Sequence, residues 1–373
     1  MKKTSVGIRG YHHVEFYVGS AKMAAYWFAK GMGFSVEGYL GPETGVPDRC
    51  SYYLVKNKIR IIITSPLHPE AYDIEGFIQM HGDGVKGYAV EVDNVRKAFD
   101  YAVKHRAVPV KKPHFLKDKS GRFDEASLKL YDDTEVRLVN ADHYKGIFKP
   151  GFEKPLQKLH GEAKETGLYA IDHIVGNVRE NEMDFWADYF NNAFDFETYI
   201  EFGPGDITTK YSSLLSKVVR AKDSVIKNPI NEPYKGVLKS QIEEFIDEYH
   251  GSGIQHIAIS TPDIISSIRA MRANGIEFLE VPDTYYKNLK ERKLNIKENI
   301  DDLQKWGILC DYDLDGKGYL LQLFTKPIGD RPTFFFEIIQ RCGSEGFGQG
   351  NFQALFEAIE EDQIRRLRFK KKR

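Results

Sequence analysis

Three residues of this 373-residue chain have the types and spacing to hold a metal ion: His173, His256 and Glu337. They lie 83 and 81 positions apart, near-equal steps that a repeated unit would set, with one donor on each of three matching strands. Two imidazoles and one carboxylate leave coordination positions open and form the donor set of non-haem iron(II) oxygenases, although zinc and manganese accept the same donors. Glu337 sits in residues 333–341, Thr-Phe-Phe-Phe-Glu-Ile-Ile-Gln-Arg, bounded by Pro332 and Gly343. This short, bulky, β-branched run reads as a buried strand, with Phe335, Glu337 and Ile339 on one face and Phe336 and Ile338 on the other. An ionised carboxylate there is costly unless it binds a metal or pairs with a cation, and its own run leaves both readings open.

The elements that must position these donors recur along the chain. Residues 11–18 alternate as a strand and 23–30 follow with helical spacing. The pattern returns at 171–178 and 183–191, with His13 falling on His173, Val18 on Val178, Met23 on Met183 and Phe34 on Phe194, all at an offset of 160. Residues 84–90 match 253–259, and each stretch precedes an amphipathic helix, at 95–105 and 264–274. Internal repetition of this kind sets the architecture. Residues 1–150 and 166–373 read as two halves of similar design, joined by a charged linker over 151–165. The first half keeps His13 but has Gly87 where the second has His256, and its last strand, near residues 135–139, lacks the aromatic setting. It reads as a scaffold, with His12 and His13 structural.

Composition narrows the class. With 53 Lys and Arg against 54 Asp and Glu, net −1, no global field favours nucleic acid or an acidic membrane. Cys50, Cys310 and Cys342 are too few and too scattered for a disulfide framework or a cysteine zinc site. Residues 4–13 hold no apolar core of signal-peptide length and no stretch approaches eighteen apolar residues, so a cytoplasmic globular protein is expected. Asp311-Tyr312-Asp313-Leu314-Asp315-Gly316 begins like a calcium loop, but its twelfth position is Gln322 rather than Glu, and it reads as a hairpin turn. Residues 346–350 lack the spacing and the Lys of a phosphate loop. The basic tail, 365–373, suits the C-terminal end of a solvated helix.

Longer stretches resemble the 4-hydroxyphenylpyruvate dioxygenases of the vicinal oxygen chelate superfamily. These are Asp172-His173-Ile174-Val175-Gly176-Asn177-Val178, Pro229-Ile230-Asn231-Glu232-Pro233, Lys239-Ser240-Gln241-Ile242, Gly253-Ile254-Gln255-His256, Leu321-Gln322-Leu323-Phe324, Phe335-Phe336-Glu337-Ile338-Ile339-Gln340-Arg341 and Gly346-Phe347-Gly348-Gln349-Gly350-Asn351-Phe352. The resemblance implies an α+β fold of duplicated βαβββ modules, paired into two open barrel-like domains, with a C-terminal lid helix. It implies Fe(II) on His173, His256 and Glu337, and conversion of 4-hydroxyphenylpyruvate and O2 to homogentisate and CO2 in tyrosine and phenylalanine catabolism. No separate 2-oxoglutarate is needed, since the substrate carries its own keto acid. Ser216, Asn231, Gln241 and Gln322 would form a neutral hydrogen-bonding set, with Gln255 behind His256, where a regular pleat would turn it away. Phe324, Phe335, Phe347 and Phe352 would wall the substrate, and Asn351 would cap the closing helix. Family members assemble as homodimers or homotetramers. The rivals are a 4-hydroxymandelate synthase, an extradiol catechol dioxygenase, and a duplicated binding module without oxygen chemistry.

Overall fold

A computed structural model describes residues 5–155, 163–206, 213–222, 226–234, 236, 239–292, 294–313, 318–347, 350, 351, 354 and 359. The chain begins with β1 (Ile8–Tyr17), α1 (Ala21–Met32), β2 (Ser35–Leu40), β3 (Arg49–Lys56) and β4 (Ile59–Pro66). After α2 (Tyr72–His81) come β5 (Gly84–Val92), α3 (Val95–Lys104), β6 (Pro109–Asp118), β7 (Gly121–Leu130) and β8 (Thr134–Asn140). The second half opens with β9 (Ala170–Asn177), α4 (Met183–Ala193), β10 (Phe196–Phe202), β11 (Ser213–Ala221) and β12 (Lys227–Tyr234). It continues through α5 (Gln241–Tyr249), β13 (Gly253–Ser260), α6 (Ile264–Ala273), α7 (Asp283–Glu291) and α8 (Ile300–Trp306) to β14 (Leu309–Tyr312), β15 (Tyr319–Phe324) and β16 (Phe335–Cys342).

Each half forms one eight-stranded sheet, in the orders β2-β3-β4-β1-β5-β8-β7-β6 and β10-β11-β12-β9-β13-β16-β15-β14. The second order is the first with every strand number raised by eight. The chain therefore adopts the expected α+β fold of duplicated βαβββ modules in two barrel-like sheets. Helix starts follow from local side chains: Asn94 Oδ1 accepts the Lys97 N–H at 2.9 Å ahead of α3, and Asp263 Oδ1 accepts that of Ser266 at 3.0 Å ahead of α6. Ser240 and Glu243 cap α5 reciprocally.

The two faces of β16 do different work. Phe336 packs edge-on against Phe28 of α1, and Phe334 against Phe16 of β1, with ring centroids 5.7 and 5.1 Å apart. Burial of each such ring stabilises by about 1.5–3 kcal/mol, and the core they join is continuous across both halves. The strand carrying Glu337 is thus clamped from behind by the first half. β14 and β15 pair antiparallel up to Tyr312 opposite Tyr319, and residues 314–317 of the turn expected between them lie outside the described residues. Among the described residues no helix is long and apolar enough to cross a membrane. Residues 350, 351, 354 and 359 are helical. Phe352, most of the expected lid helix and the tail at 365–373 lie outside the described residues.

Candidate metal centre

Register brings the three donors together. Ala258 of β13 lies opposite His173 on one side and Glu337 on the other, so these side chains form a row across β9, β13 and β16. His256, two residues before Ala258, shares its face. Glu337 Oε2 lies 3.3 Å from His173 Nε2 and 3.5 Å from His256 Nε2. One donor atom from each residue lies within 4.8 Å of the others, so the three could share an ion. All three are buried. Desolvation alone would raise the Glu337 carboxyl, but the two imidazoles outweigh it and hold it at about 2. That is the ionised form a metal requires.

Two bulges complete the site. Pairing of β9 with β13 skips Asp172 on one strand and Gln255 on the other. Each skipped residue immediately precedes a histidine and bends back onto it. Asp172 Oδ1 lies 2.8 Å from His173 Nδ1, and Gln255 Oε1 lies 3.0 Å from His256 Nδ1. Both oxygens can only accept, so each Nδ1–H donates and each Nε2 presents its lone pair to the centre. The bulge also explains why Gln255 reaches His256 although a regular pleat would point it away. The two supports differ in charge. Burial lowers the pKa of His256, whereas at His173 the carboxylates of Glu337 and Asp172 overcome burial and raise it.

Asp172 and its partner Arg341 were quoted in the sequence motifs without a role. Arg341 donates from Nε and Nη2 to the two Asp172 oxygens at 2.7 and 2.8 Å, and from Nη1 to the Gly346 carbonyl at 2.5 Å. Its guanidinium lies 5.5 Å from the Phe347 ring, which meets His173 edge-on at 5.0 Å. One side chain thus ties the loop after β16 to the support of a donor. A carboxylate adjacent in sequence to His173 was the available signal.

The other expected residues fall into a shell of unspent polarity and a ring of aromatics. Ser216 lies opposite Asn231, and Asn231 opposite Asn177, across β11, β12 and β9. Ser216 Oγ, Asn231 Oδ1, Gln241 Oε1 and Gln322 Oε1 are all buried, and none has a hydrogen-bond partner among the described residues. The same holds for Asn177 Nδ2, which sequence did not single out although strand alternation from His173 through Val175 reaches it. Each such atom costs about 1–3 kcal/mol, so several together point to a polar ligand. Phe335 stacks on His256 at 4.8 Å, and Phe324 meets His256 edge-on at 6.3 Å. Asn351 Oδ1 accepts the Tyr285 hydroxyl at 2.9 Å, and its buried Nδ2 has no hydrogen-bond partner among the described residues.

Comparison with known proteins agrees in kind. Residues 170–303 match the Glyoxalase/Bleomycin resistance protein/Dioxygenase superfamily. The chain is 44% identical to 4-hydroxyphenylpyruvate dioxygenase of Yarrowia lipolytica, over 96% of this chain and 93% of that one. It is 43% identical to that of Xenopus tropicalis, over 95% and 91%. Among solved structures, a mutant 4-hydroxymandelate synthase from Streptomyces coelicolor superimposes with TM-score 0.84 at 28% identity, covering 96% of this chain and 99% of that one.

Proposed function

This chain belongs to the 4-hydroxyphenylpyruvate dioxygenase family, and on that premise we propose that it converts 4-hydroxyphenylpyruvate and O2 to homogentisate and CO2, in tyrosine catabolism, using iron(II) on His173, His256 and Glu337. The observation that carries the substrate is the set of unpartnered atoms. Asn231 Oδ1, Gln241 Oε1 and Gln322 Oε1 are amide oxygens and can only accept, and the phenol hydroxyl is the donor such a substrate brings. The α-keto acid, which only accepts, goes to the metal end. Amides suit this duty because they neither compete for the ion nor shift the phenol's pKa by charge.

His173, His256 and Glu337 would hold iron(II), which would supply the electrons that activate oxygen. The chain's own task is placement. Asp172 and Gln255 hold the imidazoles with Nε2 inward, Phe324 and Phe335 confine the ring, and Phe347 covers His173. The described helical residues 350, 351, 354 and 359 are read as belonging to a lid: Gly350 N–H donates to Asp311 Oδ2 at 2.7 Å, and Ala354 packs in the cluster of Phe324 and Phe335. Truncation after residue 349 is expected to uncouple O2 uptake from product formation; unchanged coupling would remove the lid reading. We assign residues 1–150 as the non-catalytic pair of modules, 151–165 as linker and 166–373 as the catalytic pair, in a cytoplasmic homodimer or homotetramer, which sedimentation would check.

The deciding experiment is O2 uptake by protein loaded anaerobically with iron(II) and given 4-hydroxyphenylpyruvate. Homogentisate with one CO2 per O2 supports the proposal. Hydroxymandelate would keep the metal site and overturn the ring chemistry. No uptake with iron bound would overturn the substrate.

A further inference from the structure

His173, Val175 and Asn177 alternate along β9 and share one face, while Ile174 and Gly176 share the other. Ile174 joins the core common to both halves, and a Cβ at Gly176 would run into the Tyr131 side chain of the first half. Asn177 therefore points to the metal-centre face, four residues or about 13 Å along the strand from His173. It is fully buried.

Asn177 and Asn231 form a pair of amides. Asn231 lies opposite Asn177 across β12 and β9 and donates from Nδ2 to Asn177 Oδ1 at 3.3 Å. That bond spends one amide nitrogen and one amide oxygen. Asn177 Nδ2 and Asn231 Oδ1 remain, both buried and without a hydrogen-bond partner among the described residues. Turning both amides over would again leave one of each, so the pair offers a donor beside an acceptor in either orientation. A carboxylate or a carbonyl satisfies only the donor, an ammonium only the acceptor, and a hydrocarbon neither. A hydroxyl satisfies both through a single oxygen.

Position decides which hydroxyl this is. The keto acid occupies the metal end, so the group that reaches the far end of β9 is the one on the ring. We propose that Asn177 is a specificity-determining residue, whose Nδ2 donates to the oxygen of the substrate's ring hydroxyl while that hydroxyl donates to Asn231 Oδ1. The inference rests on the substrate proposed above and supplies the donor that the amide oxygens cannot. Neither amide is charged, so the pair fixes the ring end without drawing the phenol toward its anion.

The test is calorimetric titration of the iron-loaded protein, in the absence of oxygen, with 4-hydroxyphenylpyruvate and with phenylpyruvate, which lacks only the hydroxyl. Wild-type protein should prefer the hydroxylated acid. Asn177→Leu should cut that preference about tenfold, as loss of one hydrogen bond does, with iron content kept at one per chain. In turnover of 4-hydroxyphenylpyruvate the loss should fall on KM more than on kcat. Both acids are titrated into the same sample, so a partly folded variant leaves the ratio intact. Should Asn177→Leu not fold at all, the smaller Asn177→Ala decides. A preference that the Asn177 variants leave unchanged, or one that Ser216→Ala removes while Asn177→Leu retains it, would overturn the inference and leave the substrate standing. Equal binding of the two acids by wild-type protein would overturn the substrate reading together with it.

Discussion

Where β9 sets His173 opposite Ala258 and β13 sets Ala258 opposite Glu337, β1 sets His13 opposite Ala89 and β5 sets Ala89 opposite Arg137. The bulges recur as well. His12 and Lys86 are skipped in the pairing of β1 with β5, at the places of Asp172 and Gln255, and His12 Nδ1 lies 2.8 Å from His13 Nδ1. Register and bulges therefore belong to the duplicated fold, while the donors belong to individual positions. Glu337 faces two imidazoles, whereas Arg137 in its place forms an ion pair with Glu15. The two settings for a buried charge, a cation partner and a set of donors that could hold a metal, occur one in each half.

The largest effect comes from making the second half resemble the first. His256→Gly copies Gly87, and Glu337→Ala removes the carboxylate. Either should abolish stoichiometric iron binding by metal analysis and lower kcat/KM by about 10³-fold or more, a loss of about 4 kcal/mol in transition-state stabilisation. Retained iron with retained turnover would mean the donors are misassigned. The reverse change fails on geometry: a Cβ at Gly87 would come within 2.3 Å of the Glu135 carbonyl oxygen, so Gly87→His should destabilise the fold rather than create a ligand.

Next in size are the bulge residues, where the halves differ in charge rather than in shape. Asp172→Asn keeps the size and removes the anion behind His173, and it leaves Arg341 short of a partner. Iron affinity, measured by chelator competition, should fall about 10–100-fold. Gln255→Ala should fall at the lower end of that range, because a neutral amide supports His256. Equal losses would remove the charge asymmetry drawn between the two histidines.

A smaller effect separates stability from function. Gln322 carries a buried oxygen without a hydrogen-bond partner among the described residues, so Gln322→Met should stabilise the ligand-free protein by about 1–2 kcal/mol in urea unfolding. The same change should raise KM for 4-hydroxyphenylpyruvate about tenfold or more, as expected for one lost hydrogen bond. Destabilisation by this variant would show that Gln322 is already satisfied.

The metal donors were legible because repetition and residue type coincide: the offset of 160 maps His13 onto His173, and Phe-Phe-Phe-Glu marks Glu337 as buried. Of their partners, Gln255 was named behind His256 against the direction of a regular pleat, and Asp172 had no role. A bulge is decided by how two strands pair, so nothing in the residues around Asp172 or Gln255 announces it. Arg137 was hidden for another reason. α7 and α8 lie between α6 and β14, whereas α3 runs to β6 through a short loop, so no constant offset sets Arg137 against Glu337. Aligning the strands by pairing rather than by position recovers it.

The smallest predicted effect tests whether His12 is a structural counterpart of Asp172. Burial, reinforced by Arg60 and Lys149, pushes His12 down to about 3 from an ordinary value near 6.5, and the neighbouring His13 is lowered too. The folded first half thus holds His12 neutral while the unfolded chain protonates it below about 6.5. Stability is at its full value above that pH and declines as pH falls toward 3, by about 1.4 kcal/mol per pH unit for one such group. Between pH 6.5 and 5, before the carboxylates Glu15 and Glu125 begin to titrate, hydrogen exchange in β1 should accelerate as pH drops, after correction for the intrinsic rate. His12→Gln, which can still hydrogen-bond His13 Nδ1, should flatten that dependence by up to one proton and leave turnover at pH 7 unchanged. An unaltered slope would place the titration on His13 alone, and altered turnover would mean that the first half's bulge reaches the catalytic centre after all.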